Sequence, residues 1–161
     1  MAQLKCPNCN REFVRRVGRV GLVERLISWF YIYPFKCQLC GFRFRFLQRG
    51  VRYFRIEEDH REYDRMQMSF PLTFSCEGNT GEGLALNISM GGCSFNATSE
   101  IRHGTIVRLA LKLSSDAAPV IVDAAVVRYV RDQLVGVEFL QWQPSERERL
   151  QLFVRGLLIG R

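Results

Sequence analysis

A chain of 161 residues has room for one ordinary domain, or for one modest domain and a small module that needs help to fold. The net charge of +7 is concentrated at one end: residues 1–56 carry twelve Lys/Arg against two Asp/Glu, and residues 57–161 carry eleven against fourteen. The opening MAQLKCPNCN lacks the basic and apolar run of a secretory leader, and the apolar stretch around residues 22–35 is too short and too interrupted to span a bilayer. A reducing, cytoplasmic setting without a transmembrane segment is therefore expected.

Four of the six cysteines form two Cys-x-x-Cys pairs, Cys6 with Cys9 and Cys37 with Cys40, separated by 27 residues. Matched thiolate pairs suit zinc, whose closed tetrahedral site of four cysteines leaves no position for water and is structural. CPNC followed by CQLCG resembles the zinc-ribbon family, which implies one knuckle at each hairpin turn. Iron is the less suitable metal, because nothing in the chain points to an electron-transfer partner. The module is expected over residues 1–47, with strand-like pieces at Glu12–Val17 and Phe42–Leu47.

Between the pairs, Val23, Leu26, Ile27 and Phe30 recur at helical spacing and form one apolar stripe, and Pro34 is expected to end that helix. Trp29, Phe30, Tyr31, Tyr33 and Phe35 stand beside Arg15, Arg16, Arg19 and Arg25. The reading adopted is structural: these aromatics form the core and rim of the small module, or a face packed on the barrel, because so small a module must spend its aromatics on its own core. The alternatives are an interfacial anchor for an anionic membrane surface and a nucleic-acid surface.

Residues 48–65 are highly charged without apolar period and read as a linker and arm. From residue 66 the pattern changes to short β-rich runs at Met66–Cys76, Gly83–Asn87, Cys93–Ala97, Ile106–Leu113, Val120–Val130 and Leu134–Phe139, punctuated by Gly, Asn, Ser and Asp. That is the pattern of an antiparallel sheet or barrel over residues 66–161. A terminal helix is expected to start with a capping box, Ser145 with Glu148, and to present Leu150, Phe153, Val154, Leu157 and Leu158 as its apolar face. Cys76 and Cys93 read as small apolar strand residues, and His60 and His103 as surface residues.

Two groups of residues carry the functional signal: Arg61 and Arg65 in the arm, and Asn87, Ser89 and Gly92 within Asn-Ile-Ser-Met-Gly-Gly, with 21 residues between Arg65 and Asn87. An Arg-x-x-x-Arg arm followed at this distance by Asn-x-Ser-x-x-Gly resembles the PilZ domain family. Pro71-Leu72, Gly104, Val126-Val127-Arg128 and Gly136-Val137-Glu138-Phe139 fall where that family places similar residues. The resemblance covers roughly His60 to Leu158. It implies a mainly β fold, a six-stranded antiparallel barrel with a C-terminal helix, that binds cyclic di-GMP with the arm wrapped over the ligand.

The chemistry is consistent with that ligand. A guanidinium can fork onto phosphate oxygens or the guanine O6/N7 edge and can stack on a base. Asn87 and Ser89 are expected to bond a guanine edge, and Gly92 to free the backbone turn. The acidic neighbours Glu57, Glu58, Asp59, Glu62 and Asp64 are available to hold the arginines in the absence of ligand. No Gly-rich loop with Lys, no nucleophile with a base and no open metal position marks an enzyme. The expected function is a non-enzymatic receptor that signals to a protein partner by ordering the arm and reorienting the zinc module. The competing reading is a zinc-ribbon interaction or nucleic-acid-binding protein with a silent barrel.

Overall fold

The computed structural model describes residues 4–50, 63–76 and 78–160. Two compact units are present, Met1–Asp64 and Arg65–Arg161.

In the first unit, strands β1 (Val14–Arg16), β2 (Ile32–Cys37) and β3 (Arg43–Leu47) form an antiparallel sheet with β2 in the middle. Pro34, expected to lie in a return segment after a helix, sits inside β2 opposite Arg45. The proline is tolerated because the β1 ladder has ended by that point: its last pair is Arg16 with Phe35, and the Pro34 carbonyl accepts from the Val17 amide at 3.1 Å. Tyr33 and Phe35 are buried, and the Phe35 ring lies 6.0 Å from Phe44 and 6.4 Å from Phe46.

Helix α1 (Gly21–Ile27) and a 3-10 turn (Ser28–Phe30) connect β1 to β2, and they end at Tyr31 in the left-handed region at φ 61°. The helix is docked by its polar side. Glu24 is 5% exposed, accepts from the Val20 amide at 2.6 Å and from Arg43 at 2.7 Å, and lies 3.7 Å from Arg45. Ser28 is also buried; its hydroxyl donates to the Arg25 carbonyl at 2.6 Å and accepts from Arg19 at 3.0 Å.

Most of the expected apolar stripe therefore faces outward, with Val23 62%, Leu26 64% and Phe30 73% exposed and Ile27 half-buried, and the neighbouring Trp29 is 84% exposed. Of the aromatics expected to form the module's core and rim, Tyr33 and Phe35 are in the core, while Trp29, Phe30 and Tyr31 are exposed. Arg43 and Arg45 on β3 hold the Glu24 carboxylate inward, and with that charge buried and paired, turning the helix to bury its stripe would leave the pair broken.

The Glu24 carboxyl is shifted below its ordinary value. Burial pushes it upward, and this is outweighed by the Val20 amide and by the charges of Arg43 and Arg45. Such a depressed acid stabilises the fold above the unfolded carboxylate pKa, and the stabilisation is lost as pH falls through the folded value. Glu24→Gln is expected to cost the module about 1 to 3 kcal/mol at neutral pH, since Glu24 is buried while its partners are partly solvated. The variant should accordingly lose the part of the acid-side dependence that Glu24 contributes, leaving the part due to the metal site. Denaturant unfolding of parent and variant side by side at pH 7 and at lower pH, with zinc content followed in each, measures both effects.

The second unit is a closed antiparallel barrel of six strands in the order β4-β5-β6-β9-β8-β7. The strands are β4 (Met66–Cys76), β5 (Asn79–Ser89), β6 (Gly92–Ala97), β7 (Ile106–Leu111), β8 (Val120–Arg131) and β9 (Leu134–Gln141). β4 shows the alternation that builds it: Met66, Phe70, Leu72 and Phe74 are buried, and Gln67, Ser69, Pro71 and Thr73 are exposed. Inside, Phe74 meets Phe95 at 5.7 Å among Ile88, Val107, Leu109, Val122 and Val137.

Helix α2 (Pro144–Ile159) packs on β8 and β4 through buried Leu150 and Val154. Its expected capping box is not formed. The helix starts two residues earlier, with Gln143 rather than Ser145 at the N-cap, Pro144 in the first turn and no side-chain cap. Glu146 takes the anchoring role instead, accepting from the Ile121 amide at 2.8 Å and from Arg149 at 2.9 Å. Among the described residues no helix is long and apolar enough to cross a membrane.

Candidate functional site

The two cysteine knuckles are built alike. In the first, the Asn10 amide donates to the Cys6 carbonyl at 2.8 Å; in the second, the Gly41 amide donates to the Cys37 carbonyl at 3.1 Å. Each motif then leaves through a left-handed residue, Asn10 at φ 55° and Gly41 at φ 76°, residue types that accept this conformation readily.

The four sulfurs lie within 4.8 Å of one another, with Cys6 to Cys40 and Cys9 to Cys37 both at 3.6 Å. Tetrahedral zinc with Zn–S bonds of about 2.3 Å sets sulfurs about 3.8 Å apart, so the donor set and its spacing fit such an ion. Burial pushes the Cys37 thiol up to about 12. At Cys40 burial works in the same direction but is outweighed by hydrogen bonds from the Phe42 backbone, Asn8 and the neighbouring thiols, which bring it to about 7. Four cysteines in this arrangement can hold a metal ion.

The barrel carries a second constellation. Register aligns Gln67, Asn87, Ser94, Gly136 and Tyr129 in one row across β4, β5, β6, β9 and β8. Ser94 lies between inward-facing Cys93 and Phe95, so it faces outward, yet it is only 2% exposed. Irregularities interrupt the ladders beside this row on three strands, between Gln67 and Phe70, Ala85 and Asn87, and Val127 and Tyr129. Bulges re-aim side chains and are common beside binding sites. Arg65 lies at the row, where a guanidinium nitrogen donates to Asn87 Oδ1 at 3.4 Å and to the Tyr129 hydroxyl oxygen at 3.4 Å. Both contacts are long, so they orient the guanidinium without satisfying its charge.

The PilZ domain family matches residues 59–156, which include this entire row. The chain belongs to the PilZ domain family. No curated protein sequence matches it. Among solved structures, the chain is similar to the Bacillus subtilis inhibitor of motility MotI/DgrA, with a TM-score of 0.54 and 18% identity over 81% of this chain and 66% of that one. It is also similar to Escherichia coli YcgR, solved in complex with c-di-GMP, with a TM-score of 0.52 and 13% identity over 91% of this chain and 74% of that one. At these identities the likeness is one of fold. PilZ domains are binding effectors, not enzymes.

Within this PilZ barrel the expected site residues take different parts. Asn87 sits beside the β5 bulge with its carbonyl toward Arg65. Ser89, expected to bond a guanine edge, is buried, and its hydroxyl donates to the Gly92 carbonyl at 3.2 Å while accepting from the Gly91 amide at 3.3 Å. It ties the turn together. Gly92, expected to free that turn, meets a different requirement, because a β-carbon there would overlap the Val137 carbonyl oxygen on β9.

Arg61 lies outside the described residues, as do four of its five acidic neighbours. The fifth, Asp64, pairs with Arg15 rather than Arg65, and its amide donates to Gln38 Oε1 at 2.7 Å. Tyr63 also belongs to the first unit, with Lys36 Nζ 4.4 Å from its ring centroid. The Cys93 thiol is pushed up to about 12 by burial, against the opposing charge of Arg65.

Sequence reasoning missed Tyr129 and Ser94. The available signal was Gly136 in the interior of a strand: a β-carbon there would run into the Tyr129 ring, which lies over it.

Proposed function

We propose that this PilZ protein is a cytoplasmic, non-enzymatic receptor for cyclic di-GMP whose four-cysteine module is closed by structural zinc. The observation that carries the reading is the placement of the Arg65 guanidinium beside Asn87 and Tyr129 on a row flanked by bulges. A ring with two phosphates and two guanines offers Arg65 and Arg61 the anionic oxygens and O6/N7 edges that guanidinium groups fork onto. Asn87 supplies the amide for a guanine edge, while Ser89 and Gly92 hold the turn and the close strand approach behind it. The fold-level likeness to YcgR, itself solved with c-di-GMP, supports the choice of ligand.

Signalling follows from where the arm is tied. Tyr63 and Asp64 are held by Lys36, Arg15 and Gln38 of the module, whereas Arg65 is held by the barrel. Drawing Arg61 and Arg65 onto one ligand loads the intervening residues, and the module reorients to relieve that load, presenting a changed surface to a partner protein. Hydrogen exchange on the zinc-loaded chain tests the reading: cyclic di-GMP should protect amides in the arm and around Asn87 and alter exchange in β1–β3. Unchanged exchange throughout at saturating nucleotide contradicts it and leaves a metal-stapled interaction protein with a silent barrel.

Tyr129→Phe keeps the ring over Gly136 and removes only the hydroxyl that meets Arg65. Affinity for cyclic di-GMP is expected to fall by about 2- to 12-fold, the loss of one ordinary hydrogen bond, with little change in barrel stability. Titration calorimetry and a melting curve measure the two.

A further inference from the structure

Helix α1 and the following 3-10 turn leave an apolar surface uncovered, made of Leu22, Val23, Leu26, Trp29 and Phe30, each more exposed than buried. This is not a loosely attached helix, because its polar side is fixed through Glu24 and Ser28. The fold holds these side chains outward on a rigid support.

The charge of this part of the chain is one-sided. The acidic residues of the described part of the module are all engaged by cations: Glu12 by Lys5 at 3.3 Å, Glu24 by Arg43 at 2.7 Å, and Asp64 by Arg15. Residues 1–56 keep a large basic excess, twelve Lys/Arg against two Asp/Glu, and Arg25 is exposed on α1 itself.

We propose that α1 and its 3-10 turn form an interfacial anchor for an anionic lipid bilayer, with Leu22, Leu26, Trp29 and Phe30 seated among the headgroups and with Arg25 and the module's net positive charge attracted to the surface. An exposed Trp and Phe with aliphatic neighbours suits the interface, where an amphipathic indole is favoured and anionic lipid adds attraction for each nearby Arg. A second copy of the chain fits poorly, since two strongly basic modules repel. Nucleic acid fits less well, since bases could stack on Trp29 and Phe30 but would leave the aliphatic Leu22, Val23 and Leu26 in water. The inference is independent of the nucleotide reading, and its test uses no cyclic di-GMP.

The experiment is co-sedimentation of the full zinc-loaded chain with phosphatidylcholine vesicles and with equimolar phosphatidylcholine/phosphatidylglycerol vesicles. Binding is expected to the anionic vesicles, at least about tenfold weaker to the neutral ones, and to decline with salt. The double variant Trp29→Ala/Phe30→Ala should weaken it by at least about tenfold. Its zinc content and circular dichroism should match the parent, because both side chains are mostly exposed.

The chain's other tryptophan is Trp142, so in Trp142→Phe the emission of Trp29 should shift to the blue on anionic vesicles. The proposal is overturned if neither vesicle binds, or if the double variant binds as well as the parent. It is equally overturned if the double variant abolishes self-association or DNA binding while vesicle binding is absent.

Discussion

Arg65→Ala is expected to weaken cyclic di-GMP binding by about 12- to 150-fold, the loss of one charge-assisted contact worth about 1.5 to 3 kcal/mol. The side chain's two contacts in the ligand-free protein are both 3.4 Å long, so removing them should hardly change barrel stability. The effect should therefore appear in affinity while the melting temperature stays near the parent value. Arg65→Lys should recover only a small part, because an ammonium keeps the charge and lacks the planar fork that reads phosphate or guanine in two bonds. Calorimetric titration of the two variants, with a thermal melt of each, separates a binding role from a structural one. Equal affinity in Arg65→Ala and the parent would remove Arg65 from the site.

Loss of the metal should have the larger structural consequence, and it should be confined to one unit. A three-stranded sheet with a seven-residue helix docked by its polar side has a small apolar core, and structural zinc supplies about 10 to 16 kcal/mol in modules of comparable size. Cys40→Ser, or chelation of the parent, is expected to unfold β1–β3 while the barrel keeps its cooperative melt. Limited proteolysis should then remove the segment before Arg65, the start of the barrel unit.

Acid should act in the same direction. Without metal, burial pushes Cys37 to about 12, while hydrogen bonds bring Cys40 to about 7 against its own burial. The ion must displace these protons, so zinc affinity falls as pH falls. Zinc release followed with a chromogenic chelator between pH 8 and pH 5 measures this. Amide protection in β1–β3 that survives complete removal of metal would contradict a zinc-dependent fold.

Much of the barrel was legible because its strands alternate. Met66–Cys76 has the same bounds in sequence and structure, and its buried residues are those a period of two selects. The module was harder to read, for two physical reasons. Pro34 is read as a break, yet a strand can hold a proline where its ladder on one side has ended. The stripe Val23, Leu26, Phe30 identifies a helix but not its orientation. Glu24 sets the orientation by pairing with Arg43, 19 residues away in sequence, and period counting does not detect such a pair.

The same distinction holds for the barrel row. The residue types of Asn87, Ser89 and Gly92 were legible as a motif, but Ser89 and Gly92 turned out to support the turn and the strand approach. Tyr129 reaches Arg65 from 64 residues away, and no local spacing announces it.

On the proposed reading, guanidinium groups at the head of the PilZ barrel close on a cyclic dinucleotide. Calorimetric titration of the full zinc-loaded chain with cyclic di-GMP, beside cyclic di-AMP as the control that lacks the guanine O6 edge, tests it most directly. Micromolar or tighter binding of the guanine ring is expected, with at least about tenfold weaker binding of the adenine ring. No heat at high nucleotide concentration, confirmed by equilibrium dialysis, would contradict it.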